Sequence, residues 1–289
     1  MNTPLISIII PAHNNETTIG VAIDSMLSQT YSNTEIIIID DNSTDNTPNI
    51  AKQYEKLHKK VKFYPLPYDD PNRVNKRGRN VNAGYMARNY GLEKVTGEWI
   101  TFQDADDASL QNRIEAEYIL AIRFESKHVC LQWQKLSPEK IGATFDFEKA
   151  LQENPGLIIE NKEIRQLGQK SKGILMSLLG LLRKYVPFEI KRGWAINKLF
   201  FGSLDSYPGS GNSPLLKREI IEKVKFRPVD ERVWPSFTGR GVDRDFNFQI
   251  AETFDSSVSF KLPLYLWRVD QENSLGYSFD KYMMRHDNM

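Results

Sequence analysis

The chain opens with an unbroken apolar run, Ile6-Ser7-Ile8-Ile9-Ile10, closed by Pro11. β-Branched residues without polar alternation predict a strand buried on both faces, as in a parallel sheet covered by helices. From Thr17 to Gln29 the apolar residues Ile19, Ala22, Ile23, Met26 and Leu27 fall on one helical face. Glu35 to Ile39 repeats the buried-strand pattern and stops at Asp40-Asp41-Asn42-Ser43, a run suited to starting a helix. A second helix is expected over Asp45 to Lys60 and a third strand over Val61 to Leu66. Pro67 to Arg79, rich in Pro, Asp, Asn, Arg and Gly, reads as a loop. Val81 to Lys94 reads as a helix ended by Gly97, and Glu98 to Phe102 as a fourth strand stopped by Gln103-Asp104-Ala105-Asp106-Asp107. Ser109 can cap a helix running to about Glu125.

The second half is less regular. Phe145 to Gln169 looks like an insertion with a polar helix, and Lys172 to Tyr185 like a more apolar helix. Further helices are expected over Ser213 to Val224 and Asp243 to Glu252, then an alternating strand over Ser257 to Trp267. Strand and helix in alternation predict an α/β fold, Rossmann-like, with a mostly parallel central sheet flanked by helices. Ligands in such folds bind beyond the carboxyl ends of the strands. Polar clusters stand at those ends: Pro11 to Asn14, Asp40-Asp41, and Asp104 to Asp107. The fold therefore predicts that distant segments meet in one crevice.

Composition narrows the function classes. With 289 residues and a formal net charge of +1, the chain has no global field that argues for nucleic acid. A single cysteine, Cys130, rules out a disulfide within the chain, favours a reducing compartment, and sits in an apolar run that reads as structural. No signal peptide is visible. No segment reaches the roughly 20 apolar residues that span a bilayer. Ile174 to Leu182, continuing into Arg183-Lys184, reads as a buried or amphipathic helix. The expectation is a cytoplasmic protein, or one at the inner face of a membrane with peripheral contact.

Four groups of residues can carry chemistry. Asp104 and Asp106, spaced two apart after a buried strand, can converge on a hard divalent cation, which takes oxygen ligands and shares them with substrate phosphates. Asp41 can accept hydrogen bonds from a base or ribose, and its alternative is a helix cap, a task open also to Ser43 or Asp45. Among Arg73, Lys76, Arg77, Arg79 and Arg88, Arg79 at a helix start is the better candidate for a diphosphate, and Arg88 for an internal anchor. Gly239-Arg240-Gly241-Val242-Asp243-Arg244-Asp245 is a tight turn opening a helix, where a carboxylate can serve as general base or only as a cap.

In this order and spacing the chain resembles the inverting glycosyltransferases of family 2, which have the GT-A fold. The similarity runs from Leu5 to Trp267 and rests on Ser7-Ile8-Ile9-Ile10-Pro11-Ala12-His13-Asn14, Ser25-Met26-Leu27-Ser28-Gln29-Thr30-Tyr31, Ile39-Asp40-Asp41-Asn42-Ser43-Thr44-Asp45, Ala87-Arg88-Asn89-Tyr90-Gly91-Leu92, Gly97-Glu98-Trp99-Ile100 and Asp104-Ala105-Asp106-Asp107. The resemblance implies that Pro11, Ala12, His13 and Asn14 line a nucleotide pocket, that Asp41 meets the base, typically uracil, and that Asp104 lies near the ribose. It implies a Mn²⁺ or Mg²⁺ on Asp106 with Asp107 nearby, and Asp243 as the base that deprotonates the acceptor. Departures are Val242-Asp243 where the family usually has Glu-Asp, Arg268-Val269-Asp270 where it often has Arg-x-His, and His13 where it often has an aromatic residue. Asp270 is then a candidate metal ligand in place of the histidine. Arg88 joins the donor-binding set.

The resemblance implies a nucleotide-sugar donor and a glycan, lipid-linked or protein acceptor, with residues 1–130 serving the donor and 131–289 the acceptor and the base. Trp194, Trp234 and Trp267 are candidates to stack on sugar rings. A sugar-phosphate nucleotidyltransferase is the rival within the fold, but Pro11 to Glu16 lacks the glycine-rich loop such enzymes carry. A non-catalytic sugar-nucleotide binder is the rival outside catalysis, disfavoured by the joint presence of Asp41, Asp104, Asp106 and Asp243.

Overall fold

The computed structural model describes residues 3–70, 73, 83–172, 207–234 and 241–269. Strands β1 (Ile6–Ala12), β2 (Thr34–Asp40), β3 (Val61–Pro65) and β4 (Trp99–Phe102) alternate with helices α1 (Ile19–Leu27), α2 (Thr47–Leu57) and α3 (Tyr85–Lys94). After β4 come β5 (Ala108–Ser109), α4 (Arg113–Arg123), β6 (His128–Lys135), α5 (Phe147–Glu153), β7 (Ile158–Ile159) and α6 (Asn161–Lys170). The remaining elements are β8 (Leu215–Lys217), α7 (Val242–Phe254) and β9 (Ser257–Trp267).

These strands make one sheet in the order β3-β2-β1-β4-β8-β6-β9-β5, with β7 also on β9. β3, β2, β1 and β4 are parallel neighbours, and β8 enters antiparallel between β4 and β6. Two antiparallel steps restore direction, so β6 and β9 run the same way as β4. The carboxyl ends of β1, β2, β4, β6 and β9 consequently share one edge, along with the amino end of β8. Register fixes this: Ala12 lies opposite Asp40, and Ile9 opposite Phe102.

Both faces of the sheet are dry, which is why β1 and β2 read as unbroken apolar runs. Ile6, Ile8, Ile10, Ile36 and Ile38 face a core closed by Ile19 and Ile23 of α1, Ala51 of α2 and Ile114 of α4. The intervening Ile9, Ile37 and Ile39 face a second core closed by Ala87 and Leu92 of α3 and Val242 and Phe246 of α7. Each fully buried isoleucine contributes roughly 2 kcal/mol of transfer free energy. Gly91 lets α3 lie directly on the sheet, since a Cβ there would sit 2.6 Å from Ile9 Cγ2.

The Arg113–Glu117 ion pair, 3.2 Å and completely buried, ties α4 to the sheet because Arg113 also donates to Thr101 Oγ1 and to the carbonyls of Phe102 and Ser213. At the edge of β1 and β2 away from the crevice, Glu35 accepts from Ser7 Oγ, Thr96 N, Thr96 Oγ1 and Lys62.

Local pattern failed in identifiable places. The helix expected over Ser213 to Val224 is instead β8 followed by a 3₁₀ turn at Arg218–Glu222. Leu215 and Leu216 are fully buried between β4 and β6, whose backbones supply the partners that a helix would otherwise find within itself. Ser109 does not cap α4: it is in β5 on β9, and Asn112 precedes the helix. β6 was not anticipated as a strand, and it carries Cys130, a free and fully buried thiol in its structural place. The helix expected over Lys172 to Tyr185 lies largely outside the described residues. Among those described, no helix is long and apolar enough to cross a membrane.

Candidate active site

The loops after β1 and β2 are laced into one wall. Both turn on an asparagine in the left-handed region, Asn14 and Asn42, each with φ 55°. Asparagine tolerates that conformation better than other residues with a Cβ. Asp41 N donates to Ala12 O, Asn14 N to Ser43 Oγ, and Thr44 N to Asn14 Oδ1. His13 Nδ1 lies 2.6 Å from Asp41 O. Other acids hold the turn ahead of α2: Asp40 accepts from Ser43 N, and Asp45 from Thr47 N and Glu16 N. That leaves the Asp41 side chain to pair with Arg73 at 2.7 Å. Burial raises the Asp41 pKa, opposed by the charges of Arg73 and His13.

The loop after β4 forms the floor. One carboxylate oxygen from each of Asp104, Asp106 and Asp107 lies within 4.8 Å of the others. Asp107 is spoken for by the fold, accepting from Tyr265 Oη and Arg268 N, each at 2.7 Å. Asp104 accepts from Arg88 at 2.5 Å and from Asn212 Nδ2 at 2.8 Å. Asp106 is held through its backbone, whose carbonyl accepts from Arg268 Nε. Burial, then the charge of Asp104, raises the Asp106 carboxyl to about 6. A hard cation suits this arrangement: the donors are all oxygen, and a positive charge would offset both the burial and the neighbouring carboxylate that raise Asp106.

α7 supplies the third wall. It starts at Gly241, in the left-handed region at φ 66°, and its first turn carries Asp243 and Asp245. The two acids have different tasks. Asp245 is fully buried, pairs with Arg227, and accepts from Val233 N and Trp234 N, so it anchors a neighbouring loop. Asp243 faces the crevice, with one oxygen 3.8 Å from the same Arg88 nitrogen that binds Asp104. Burial raises its pKa, with Arg88 acting in the opposite sense. Arg88 is almost wholly buried, and its guanidinium lies over the rings of Phe102 and Phe226.

Behind Asp243 stands a positioning network. Asn247 Nδ2 donates to Asp243 O and Gly211 O, both at 2.7 Å, and Asn247 Oδ1 lies 2.7 Å from His128 Nε2. Burial lowers the His128 pKa to about 4, so the ring is neutral, and an N–H at Nε2 donates to Asn247. Gly211 runs close to Asp243, since a Cβ there would sit 3.3 Å from Asp243 Cβ.

The structure thus brings Asp104, Asp106, Asp243 and Arg88 together, and sets Pro11, Ala12, His13, Asn14 and Asp41 on the adjoining strand ends. Arg79 and Asp270 lie outside the described residues. Asn212, Tyr265, Asn247 and His128 were not found from sequence. The entry of β8 brings Asn212 and the return of β9 brings Tyr265, while Asn247 lies one turn after Asp243 on α7 and meets His128 at the start of β6.

The chain belongs to glycosyl transferase family 2, whose model matches residues 7–172. It is 35% identical over 276 residues to the putative glycosyltransferase EpsH of Bacillus subtilis, covering 93% of this chain and 62% of that protein. It is 40% identical over 118 residues to an uncharacterized glycosyltransferase of Haemophilus influenzae, covering 40% of this chain and 42% of the relative. The chain thus spans less than two thirds of the length of either relative. In fold it is similar to Staphylococcus aureus TarS 1-349 in complex with UDP, at TM-score 0.55 and 15% identity over 93% of this chain and 61% of that one. It is similar also to the mannosyltransferase PcManGT of Pyrobaculum calidifontis, at TM-score 0.52 and 16% identity over 94% and 59%.

Proposed function

We propose that the chain transfers a sugar, with inversion, from a nucleoside diphosphate sugar to an acceptor hydroxyl in polysaccharide biosynthesis, with UDP as the donor nucleotide. The observation that carries this reading is Arg88 bridging Asp104 and Asp243, 2.5 and 3.8 Å away, beside the acidic trio. It supports reading Asp243 as the base beside the metal and donor ligands. The relatives are consistent with it: TarS is described in complex with UDP-GlcNAc, PcManGT with GDP-Man and Mn²⁺. WfgD of Escherichia coli, 32% identical over 123 residues, is named a glucosyltransferase using UDP-Glc and a diphosphoundecaprenol-linked sugar.

In this reading Asp41 and Arg73 receive the base, and Pro11 to Asn14 close the pocket with backbone groups. Asp104 meets the ribose. Asp106 and Asp104 hold Mn²⁺ or Mg²⁺, joined by Asp270, and Arg79 approaches the diphosphate. The bound cation supplies charge neutralisation at the departing diphosphate. Asp243 takes the proton from the acceptor oxygen as that oxygen attacks the anomeric carbon. Residues 1–130 serve the donor and 131–289 the acceptor, a division of labour within one sheet. The acceptor is a glycan, a lipid-linked sugar or a protein, reached from the cytoplasm or at the inner face of a membrane.

The test is UDP release from a panel of UDP-sugars with Mn²⁺. Asp243→Asn should lower turnover at least about a hundredfold, the scale of a lost general base. Near-normal turnover in that variant removes Asp243 from the role, and pyrophosphate release from a nucleoside triphosphate and a sugar phosphate would favour the nucleotidyltransferase instead.

A further inference from the structure

Two indole rings stand at the crevice edge outside the residues assigned above. Trp133 of β6 and Trp267 of β9 meet edge to face, with ring centroids 4.6 Å apart and planes at 84°. Neither ring belongs to the hydrophobic cores formed by the described residues. Trp133 is 42% exposed, whereas Trp234, another candidate for stacking, is 1% exposed and donates its indole N–H to Gly168 O. Trp194, a further candidate, lies outside the described residues.

Strand register says which way these rings face. Trp133 pairs with Tyr265, and Lys135 with Trp267, in the parallel β6–β9 ladder. Residues paired across a ladder share a face, as do residues two apart on one strand. The two tryptophans therefore share the face of Tyr265, whose hydroxyl reaches Asp107 and Asn212. Trp267 is also followed directly by Arg268, whose backbone N–H holds Asp107. The pair is continuous with the acidic floor.

Sheet order says which side of the floor they occupy. The Asp41 wall lies on β1 and β2, while β6 lies beyond β4 and β8 in the other direction. At about 4.8 Å per strand, β1 and β6 are about 14 Å apart. In a single displacement the acceptor oxygen attacks opposite the departing diphosphate. The nucleotide occupies one flank of the floor, so the acceptor approaches from the other.

We infer that Trp133 and Trp267 form the stacking platform for a pyranose ring of the acceptor. The inference rests on the glycosyltransferase reading above. The axial C–H face of a pyranose is apolar with slightly positive hydrogens, which complements the negative face of an indole. Two rigid rings held on adjacent strands lose little freedom when a sugar settles on them.

The test is ¹⁹F NMR of the full chain carrying 5-fluorotryptophan, with UDP and Mn²⁺ present. Its five tryptophans give separate signals, assigned by Trp133→Phe and Trp267→Phe. The probes are p-nitrophenyl glucoside, galactoside, mannoside and N-acetylglucosaminide. At least one should shift the Trp133 and Trp267 signals saturably and leave Trp99 and Trp234 in place. Trp133→Ala should weaken that binding about tenfold or more, the loss typical of a removed aromatic anchor, with UDP release from the donor in water unchanged. Retained donor turnover with unmoved Trp133 and Trp267 signals overturns the platform alone. Absence of donor turnover from any UDP-sugar in the wild-type protein overturns the enzymatic reading and the platform with it. Binding to phosphatidylcholine–phosphatidylglycerol vesicles that Trp133→Ala abolishes, with no glycoside response, would assign the rings to a lipid surface and also overturn it.

Discussion

Arg88→Met offers the sharpest test of how the crevice is held together. The substitution keeps an unbranched apolar side chain between Phe102 and Phe226 and removes the cation that Asp104 and Asp243 share. Breaking a fully buried ion pair costs about 3–5 kcal/mol. Asp104 and Asp243 side chains retain 25% and 31% of their exposure. Solvent screening at that exposure lowers the expected cost to about 2–3 kcal/mol. For a chain of this size that is a fall in melting temperature of about 4–10 °C.

The same change acts on Asp243, the proposed base. A cation 3.8 Å from a carboxylate oxygen favours the ionised form by about 4 kcal/mol at an effective dielectric constant near 20, and by about half that with partial exposure. Losing it raises the Asp243 pKa further in the direction that burial already pushes it. A base with a higher pKa requires a higher pH to be ionised. The acidic limb of the kcat/KM profile should therefore move to higher pH. Calorimetry and a pH series of UDP release check the two effects separately. A variant melting within about 2 °C of wild type, with its acidic limb in place, would refute the bridging role of Arg88.

Other outcomes follow from the same contacts. Asn247→Ala frees the Asp243 carbonyl and Gly211 from their shared amide; kcat should fall about 10- to 100-fold from misplacement of the base, while the UDP-induced thermal shift stays, and unchanged kcat would exclude positioning. Burial pushes Glu35 up, but hydrogen bonds from Ser7 and Thr96 and the Lys62 ammonium outweigh it and hold the carboxyl at about 2 against an ordinary 4.5. A depressed carboxyl stabilises the fold above its unfolded value and loses that contribution as pH falls toward its folded one. Glu35→Gln should therefore cost about 2 kcal/mol at neutral pH and flatten the acid loss of stability between those values, measured by denaturant titration; an unchanged acid profile would count against it. With Asp106 raised to about 6, protons compete with a cation there, so the Mn²⁺-induced thermal shift should shrink as pH falls from about 7 to about 5 and vanish in Asp106→Asn; a shift independent of pH would place the ion elsewhere.

Much of the first half of the chain was written locally. Ile6, Ile8, Ile9 and Ile10 without alternation are readable as a strand dry on both faces, and the two cores that divide them explain why. Polar runs at Asp40-Asp41 and Asp104 to Asp107 mark strand ends, because a carboxylate there has solvent or a ligand to meet and a strand interior has neither. From those ends, the crevice follows by the rules of parallel sheets.

What the sequence left open was decided by partners distant along the chain. The family resemblance singles out Asp243, but the residue pattern alone does not separate it from Asp245. The difference is that Arg227 and the Val233 and Trp234 amides consume one, and Arg88 faces the other. Asp41 read equally as a ligand group or a helix cap; Asp40 and Asp45 take the amides of Ser43, Thr47 and Glu16, and the Asp41 side chain pairs with Arg73. Leu215-Leu216 became strand because β4 and β6 offered unpaired backbone on either side. A short segment with no strong preference of its own takes the conformation whose hydrogen bonds its neighbours can complete.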